Sequence, residues 1–263
     1  MSKINKALEK AKKEKLENWE TTQEQDVSQI SLATPKGQSM TKVQEPRWDR
    51  LESNRIITAL ERRELFDTYN LLRTQLLHKT RDQGWNAIMV TSAIPGEGKT
   101  TTAVNLGLCI AREAMQTALV VDMNLRSPKL GSILDLKTTK GLSDYLLDGA
   151  SLSDLLVSPG QDKFVVLPAG RAIEGSTDIL ASPKMKSLVQ ELKSRYPDRY
   201  VLFDCPHILD MPDSLIFASY VDAVLMVVEA GRTPQDQIQK SLDTLQENNI
   251  LGLVLNKIDR AHC

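Results

Sequence analysis

The stretch "AIPGEGKTTT", residues 93–102, decides how the rest of the chain is read. An apolar run, "NAIMVTSA", leads into it, and a helical pattern spanning about 99–113 leads out of it. Gly96 and Gly98 let the backbone wrap so that several N–H groups face one phosphate. The helix that begins near Lys99 adds its N-terminal dipole to that cradle. The spacing is A-x-x-x-x-G-K-T, a P-loop with Ala93 in place of the first glycine. In such a loop Lys99 reaches the β- and γ-phosphates, and the Thr100 hydroxyl holds Mg²⁺. Pro95, Gly96, Glu97, Gly98, Lys99, Thr100 and Thr101 are therefore the expected nucleotide cradle. A glycine turn with a chance lysine is the bland alternative; strand, loop and helix in the required order argue against it.

Downstream, apolar strands alternate with helices. "TALVVDM", "FVVLPA", "YVLFDCP", "DAVLMVVEA" and "ILGLVLNKI" read as strands. Helices are expected around "GLSDYLL" and "SLSDLL", and at about 184–195 and 234–247. Strands that are apolar throughout imply a mostly parallel sheet covered on both faces. The expected fold is thus α/β, a three-layer P-loop nucleotide-binding architecture, with ligands at the carboxyl ends of the strands. Two of those ends carry acids. Asp122 closes "ALVVD" and Asp204 closes "YVLFD", so both join Thr100 as expected metal ligands. Lys99, Asp122 and Asp204 form the expected catalytic set.

The base is less explicit. "NKID", residues 256–259, matches the guanine-reading N-K-x-D, but the companion D-x-x-G is replaced by "DCPH", residues 204–207. ATP is the expected nucleotide, with Mg²⁺ as its metal, and Asn256 at a strand tip can hydrogen-bond adenine. GTP stays open as the minor reading.

Upstream, Leu65, Tyr69, Leu72, Leu76 and Leu77 make a helical stripe. Residues 20–46 are polar and aperiodic, a linker. Ile4, Ala7, Leu8 and Ala11 share a helical face within 3–16, surrounded by lysines. That segment is either a basic amphipathic helix for an acidic membrane surface or partner, or a solvated helix. The expected organisation is a basic N-terminal helix and flexible linker over 1–50, followed by an ATP-binding domain over 51–263.

Totals narrow the class. Hydrophobic residues at 41% and charged residues at 25% favour a globular protein over a disordered one. A formal net charge of -1 gives no reason to expect nucleic acid. Cys109, Cys205 and Cys263 are widely spaced and odd in number, which argues against a disulfide framework and favours a reducing cytoplasm. "MSKINKALEK" lacks the apolar core of a secretory signal, and no apolar run approaches the ~18 residues of a membrane span.

With these residues in place, the chain resembles the deviant-Walker branch of P-loop ATPases. Within that branch it is most similar to the bacterial tyrosine kinases of polysaccharide synthesis and export. "PGEGKTTTAVNLG", "VVDMNLRSP" and "VLFDCP" resemble that family's Walker A, A′ and B motifs. "GLSDYLLDGASLSDLL", "VLPAG", "ILASPKMKSLVQEL" and "VVEAGRTP" also resemble family landmarks. Partition and cell-division ATPases of the branch carry a lysine early in the P-loop, where this chain has Ile94. The resemblance implies that Lys99 and Thr100 bind phosphate and Mg²⁺. It implies that Asp122 orients the metal's water shell or accepts a proton, and that Asp204 completes the metal site.

The chain also departs from the family. The second acid of Walker A′ is Asn124, an amide that accepts hydrogen bonds but is no base. The family's clustered C-terminal tyrosines have no counterpart after Asp259, and Tyr196 and Tyr200 read as structural. Its ring-forming E-x-x-R-x-x-R is matched only by Asp67, Asn70 and Arg73. The resemblance implies a cytoplasmic kinase at the inner face of the membrane, with a membrane-embedded chain-length or export protein as partner and self-association into homo-oligomers. A nucleotide-dependent binding module and a positioning ATPase are the two rival expectations.

Overall fold

The computed structural model describes residues 41–57 and 63–258. The expected helix at 3–16 lies outside the described residues. In chain order the strands are β1 (Lys42–Val43), β2 (Ala87–Ser92), β3 (Thr117–Asp122), β4 (Val157–Ser158), β5 (Phe164–Leu167), β6 (Arg199–Asp204), β7 (Ala223–Glu229) and β8 (Ile250–Asn256). The helices are α1 (Trp48–Ser53), α2 (Arg63–Thr80), α3 (Lys99–Ala111), α4 (Leu130–Ile133), α5 (Leu142–Asp148), α6 (Leu152–Leu155), α7 (Ser176–Leu180), α8 (Pro183–Ser194), α9 (Pro212–Ala218) and α10 (Gln235–Thr244).

The eight strands form one sheet in the order β1-β4-β5-β3-β6-β2-β7-β8. Every pairing is parallel except β4 with β5. The six strands read from the sequence are all present. β4 and the short β1 were not read as strands. Residues 42–50, assigned by sequence to the N-terminal arm, instead supply the edge strand β1 and the start of α1, which runs on to Ser53. β1 pairs with β4, and Gln44 N–H donates to Ser158 O at 2.8 Å. Two residues of strand are too short for any period to show.

Because side chains alternate across a strand, β2 feeds both layers. Met89 joins Leu119, Phe203, Met185, Leu188 and Leu192 under α8. Ile88 and Val90 join Val104, Leu106, Ile110, Leu76 and Leu77 under α2 and α3. α3 lies close on the sheet because position 107 is glycine. A Cβ there would stand 2.8 Å from Phe164 Cε2 and 2.9 Å from Val120 Cγ2.

Two sequence features turn out to be internal. Tyr200 is buried in β6, its hydroxyl 2.9 Å from Thr80 Oγ1, as its structural reading required. Arg73 pairs with Glu113 at 3.1 Å and donates to Asn70 Oδ1, so the last arginine of the ring-like motif is engaged within the chain. No helix among the described residues is long and apolar enough to cross a membrane.

Candidate nucleotide site

The central position of β2 places the P-loop between the tips of β6 and β7. Gly98, with φ of 92°, turns the chain into α3. No side chain fits there: a Cβ would lie 2.2 Å from Asn256 Nδ2. Thr102 N–H donates to Gly98 O at 2.9 Å, the first bond of the helix. The N–H groups just before it are those a helix start leaves free for an anion. Lys99 and Thr100 are both buried at this mouth.

The two acids meet beside it. Asp122 and Asp204 are register partners across β3 and β6. Asp122 is fixed by three backbone donors, Asn124 N–H, Lys129 N–H and Leu130 N–H, each at 3.0 Å. The loop after β3 thus curls around its own carboxylate. Asp204 is the opposite case. Both its oxygens are buried and neither has a hydrogen-bond partner. Burial first, then the adjacent Asp122 charge, raises its pKa to about 7; the Lys99 charge and the Thr100 hydroxyl, which lies near without closing a hydrogen bond, pull against that shift. Burial also raises Asp122, against its three backbone bonds and Lys99.

A buried carboxylate with two idle oxygens is costly unless a cation uses it. Mg²⁺ characteristically takes one or two carboxylates, waters and substrate phosphates rather than a full protein cage. Thr100, Asp122 and Asp204 fit that requirement. Among the described residues there is no cluster of three or more His, Cys, Asp or Glu side chains that would suggest a different metal.

Asn124 has a local task. Its side-chain oxygen accepts from Ser127 N–H at 3.3 Å, capping the turn that carries Lys129 and Leu130 to Asp122. Arg126 pins the same loop. It donates to Ser176 Oγ at 3.0 Å and Thr177 Oγ1 at 2.9 Å, and pairs with Asp213 at 3.1 Å. Burial opposes the Asp213 charge, but the Ser176 and Thr177 hydroxyls and Arg126 outweigh it and keep the carboxyl below its usual range. His207 is half-buried past Asp204; burial, then Lys99, lowers its pKa, so the ring is neutral at neutral pH.

The back of the P-loop is held by the tips of β7 and β8. Asn256 Nδ2 donates to Glu97 O at 2.8 Å, and Lys257 Nζ donates to Gly96 O at 2.8 Å. The amide nitrogen of Asn256 is thereby used by the loop, which leaves its oxygen for a base. Asp259 lies outside the described residues. Glu97 is fully buried, and its carboxylate is committed to Ile94 N–H in the loop and to Glu229 N–H and the Thr233 hydroxyl beyond it, so only its backbone is left to face a phosphate. Glu229, Thr233 and Lys257 were missed as site residues by sequence. Thr233 stands in "VVEAGRTP", but nothing in the spacing says that its hydroxyl reaches position 97.

Residues 86–251 match the AAA domain family. The chain is 30% identical over 213 residues to tyrosine-protein kinase YwqD of Bacillus subtilis, covering 80% of this chain and 88% of that one. It is 32% identical over 177 residues to the succinoglycan biosynthesis transport protein ExoP of Rhizobium meliloti, covering 65% of this chain but 22% of that protein. The VpsO kinase domain superposes with a TM-score of 0.67 at 29% identity, covering 74% of this chain and 96% of that domain.

Proposed function

The chain belongs to the AAA-domain P-loop family, and within it to the bacterial tyrosine kinases, and from that premise we propose a Mg²⁺·ATP-dependent protein-tyrosine phosphotransferase. Its task is to regulate exopolysaccharide polymerisation, chain length or export. It acts at the inner face of the membrane with a membrane-embedded export or chain-length protein, and the basic segment near residues 3–16 contacts that partner or the lipid surface. The likeness to ExoP supports the polysaccharide assignment.

One observation carries the chemical reading: the two partnerless oxygens of Asp204 lie beside Asp122 and next to the P-loop. Thr100, Asp122 and Asp204 would hold Mg²⁺, which when bound would supply neutralisation of phosphoryl charge. Lys99 binds the β- and γ-phosphates and stabilises charge moving to the leaving oxygen. The loop N–H groups orient the phosphates for in-line attack by a tyrosine oxygen. Asp122, held by three N–H groups, would help to hold the metal or take the tyrosine proton.

The test is incubation of purified protein with radiolabelled ATP, Mg²⁺ and the cytoplasmic segment of the partner, followed by phosphotyrosine detection. Label on tyrosine in wild type and none in Lys99→Met is expected. Equal labelling of both proteins would sink the active-site assignment. A second reading, a nucleotide-dependent binding module, draws support from Asn124, whose amide caps a turn and supplies no second acid. Tight nucleotide binding with no label on tyrosine is its signature. A positioning ATPase is disfavoured by Ile94 and would instead show ATP-dependent dimerisation with stimulated hydrolysis.

A further inference from the structure

Glu97 is the only acid in "AIPGEGKTTT", a loop built to hold anions, and it is completely buried. A carboxylate here repels the phosphates it neighbours and is costly to desolvate. Its presence therefore needs a reason. The structure gives it three donors. Glu97 Oε2 accepts from Ile94 N–H at 2.8 Å, which closes the loop on itself. Oε1 accepts from Glu229 N–H at 3.1 Å, at the tip of β7, and from the Thr233 hydroxyl ahead of α10. The remaining contacts support the same loop. Asn256 holds the Glu97 carbonyl, Lys257 holds the Gly96 carbonyl, and Glu229 anchors Lys257 at 3.0 Å and Arg232 at 2.8 Å. The Arg232 guanidinium lies against Gly96, 3.1 Å from where a Cβ would stand.

We infer that Glu97 and Thr233 are a positioning pair, which bolts the phosphate loop to the β7–α10 connection and holds it open for nucleotide before nucleotide arrives. The inference rests on the nucleotide reading of the site. The physical basis is preorganisation. A loop with glycines at 96 and 98 has many conformations, and the cost of choosing one is subtracted from binding unless folding has already met it. Only a carboxylate meets all three donors. A glutamine would turn its NH₂ toward Ile94 N–H or Glu229 N–H, leaving two donors face to face. Thr233 supplies the one bond of the three that comes from a side chain, so it can be removed without touching the backbone.

The test uses Thr233→Val, which keeps the shape and deletes the hydroxyl, and Thr233→Ser, which keeps the hydroxyl. Affinity for Mg²⁺·ATP is measured with a fluorescent ATP analogue, together with the melting temperature of the nucleotide-free protein. Loss of a hydrogen bond to a charged group predicts about tenfold weaker binding for the Val variant, and binding within about twofold of wild type for the Ser variant. Glu97→Gln is expected to bind at least as weakly as Thr233→Val, and the double variant little worse than Glu97→Gln alone, because both act through one contact. Wild-type affinity in the Val variant overturns the pair, as does an equal loss in Val and Ser. A lower melting temperature with unchanged affinity also overturns it, because the contact is then only structural. A wild-type protein that binds no nucleotide overturns the nucleotide reading itself, and the pair with it.

Discussion

Asp204 is a carboxylate that folding leaves without a partner, and this has a measurable consequence. Its pKa is raised to about 7, while in the unfolded chain it returns to the ordinary carboxylate range. Between those values the folded protein keeps a proton that the unfolded chain has lost. Stability contributed by this group is therefore fully present below about pH 4 and declines as pH rises to about 7. Asn cannot ionise and escapes that decline. Metal-free Asp204→Asn is expected to melt several degrees above wild type near pH 8 and to match it near pH 4. Adding Mg²⁺ and nucleotide should reverse the order near pH 8. Melting curves that stay parallel across this range would show that Asp204 is not buried as described.

At the scale of elements, the decisive contact is α3 on the sheet. This helix carries Lys99 and Thr100 at its first turn and Gly107 at its middle. Gly107→Val gains helix propensity of a few tenths of a kcal/mol. It must also fit a branched side chain where even a Cβ lies 2.8 Å from Phe164. Overpacking costs about 1–3 kcal/mol, so the packing loss wins. A fall in melting temperature by several degrees is expected, checked by thermal unfolding. A neutral or stabilising result would mean that α3 sits farther from β3 and β5. "AVNLGLC" gave no hint of this, because a lone glycine in a helical pattern reads the same whether or not a ring stands above it.

At the scale of the whole molecule, ligand and fold are coupled through the strand tips. Residues from β2, β3, β6, β7 and β8 converge on one edge of the sheet, so nucleotide that binds only the folded chain should stabilise all of it together. At nucleotide one hundred times its dissociation constant, the gain is about 2.7 kcal/mol. We expect one cooperative thermal transition, shifted upward by Mg²⁺·ATP and unshifted in Lys99→Met. A transition that splits, with one part insensitive to nucleotide, would break this coupling. By itself the sequence determined the alternation of strands and helices, the P-loop, and the two acids at strand tips. These are local signals, set by the two-residue period of strands and by backbone rules at glycines. Only the tertiary structure decided that Asp122 and Asp204 stand side by side with one held and one idle, that Asn124 caps a turn, and that Glu97 is answered by Thr233 from a distant segment. Those facts depend on strand order and register, which no local pattern encodes. The polar atoms of a site are satisfied or left free by neighbours that the chain brings in from far along its length.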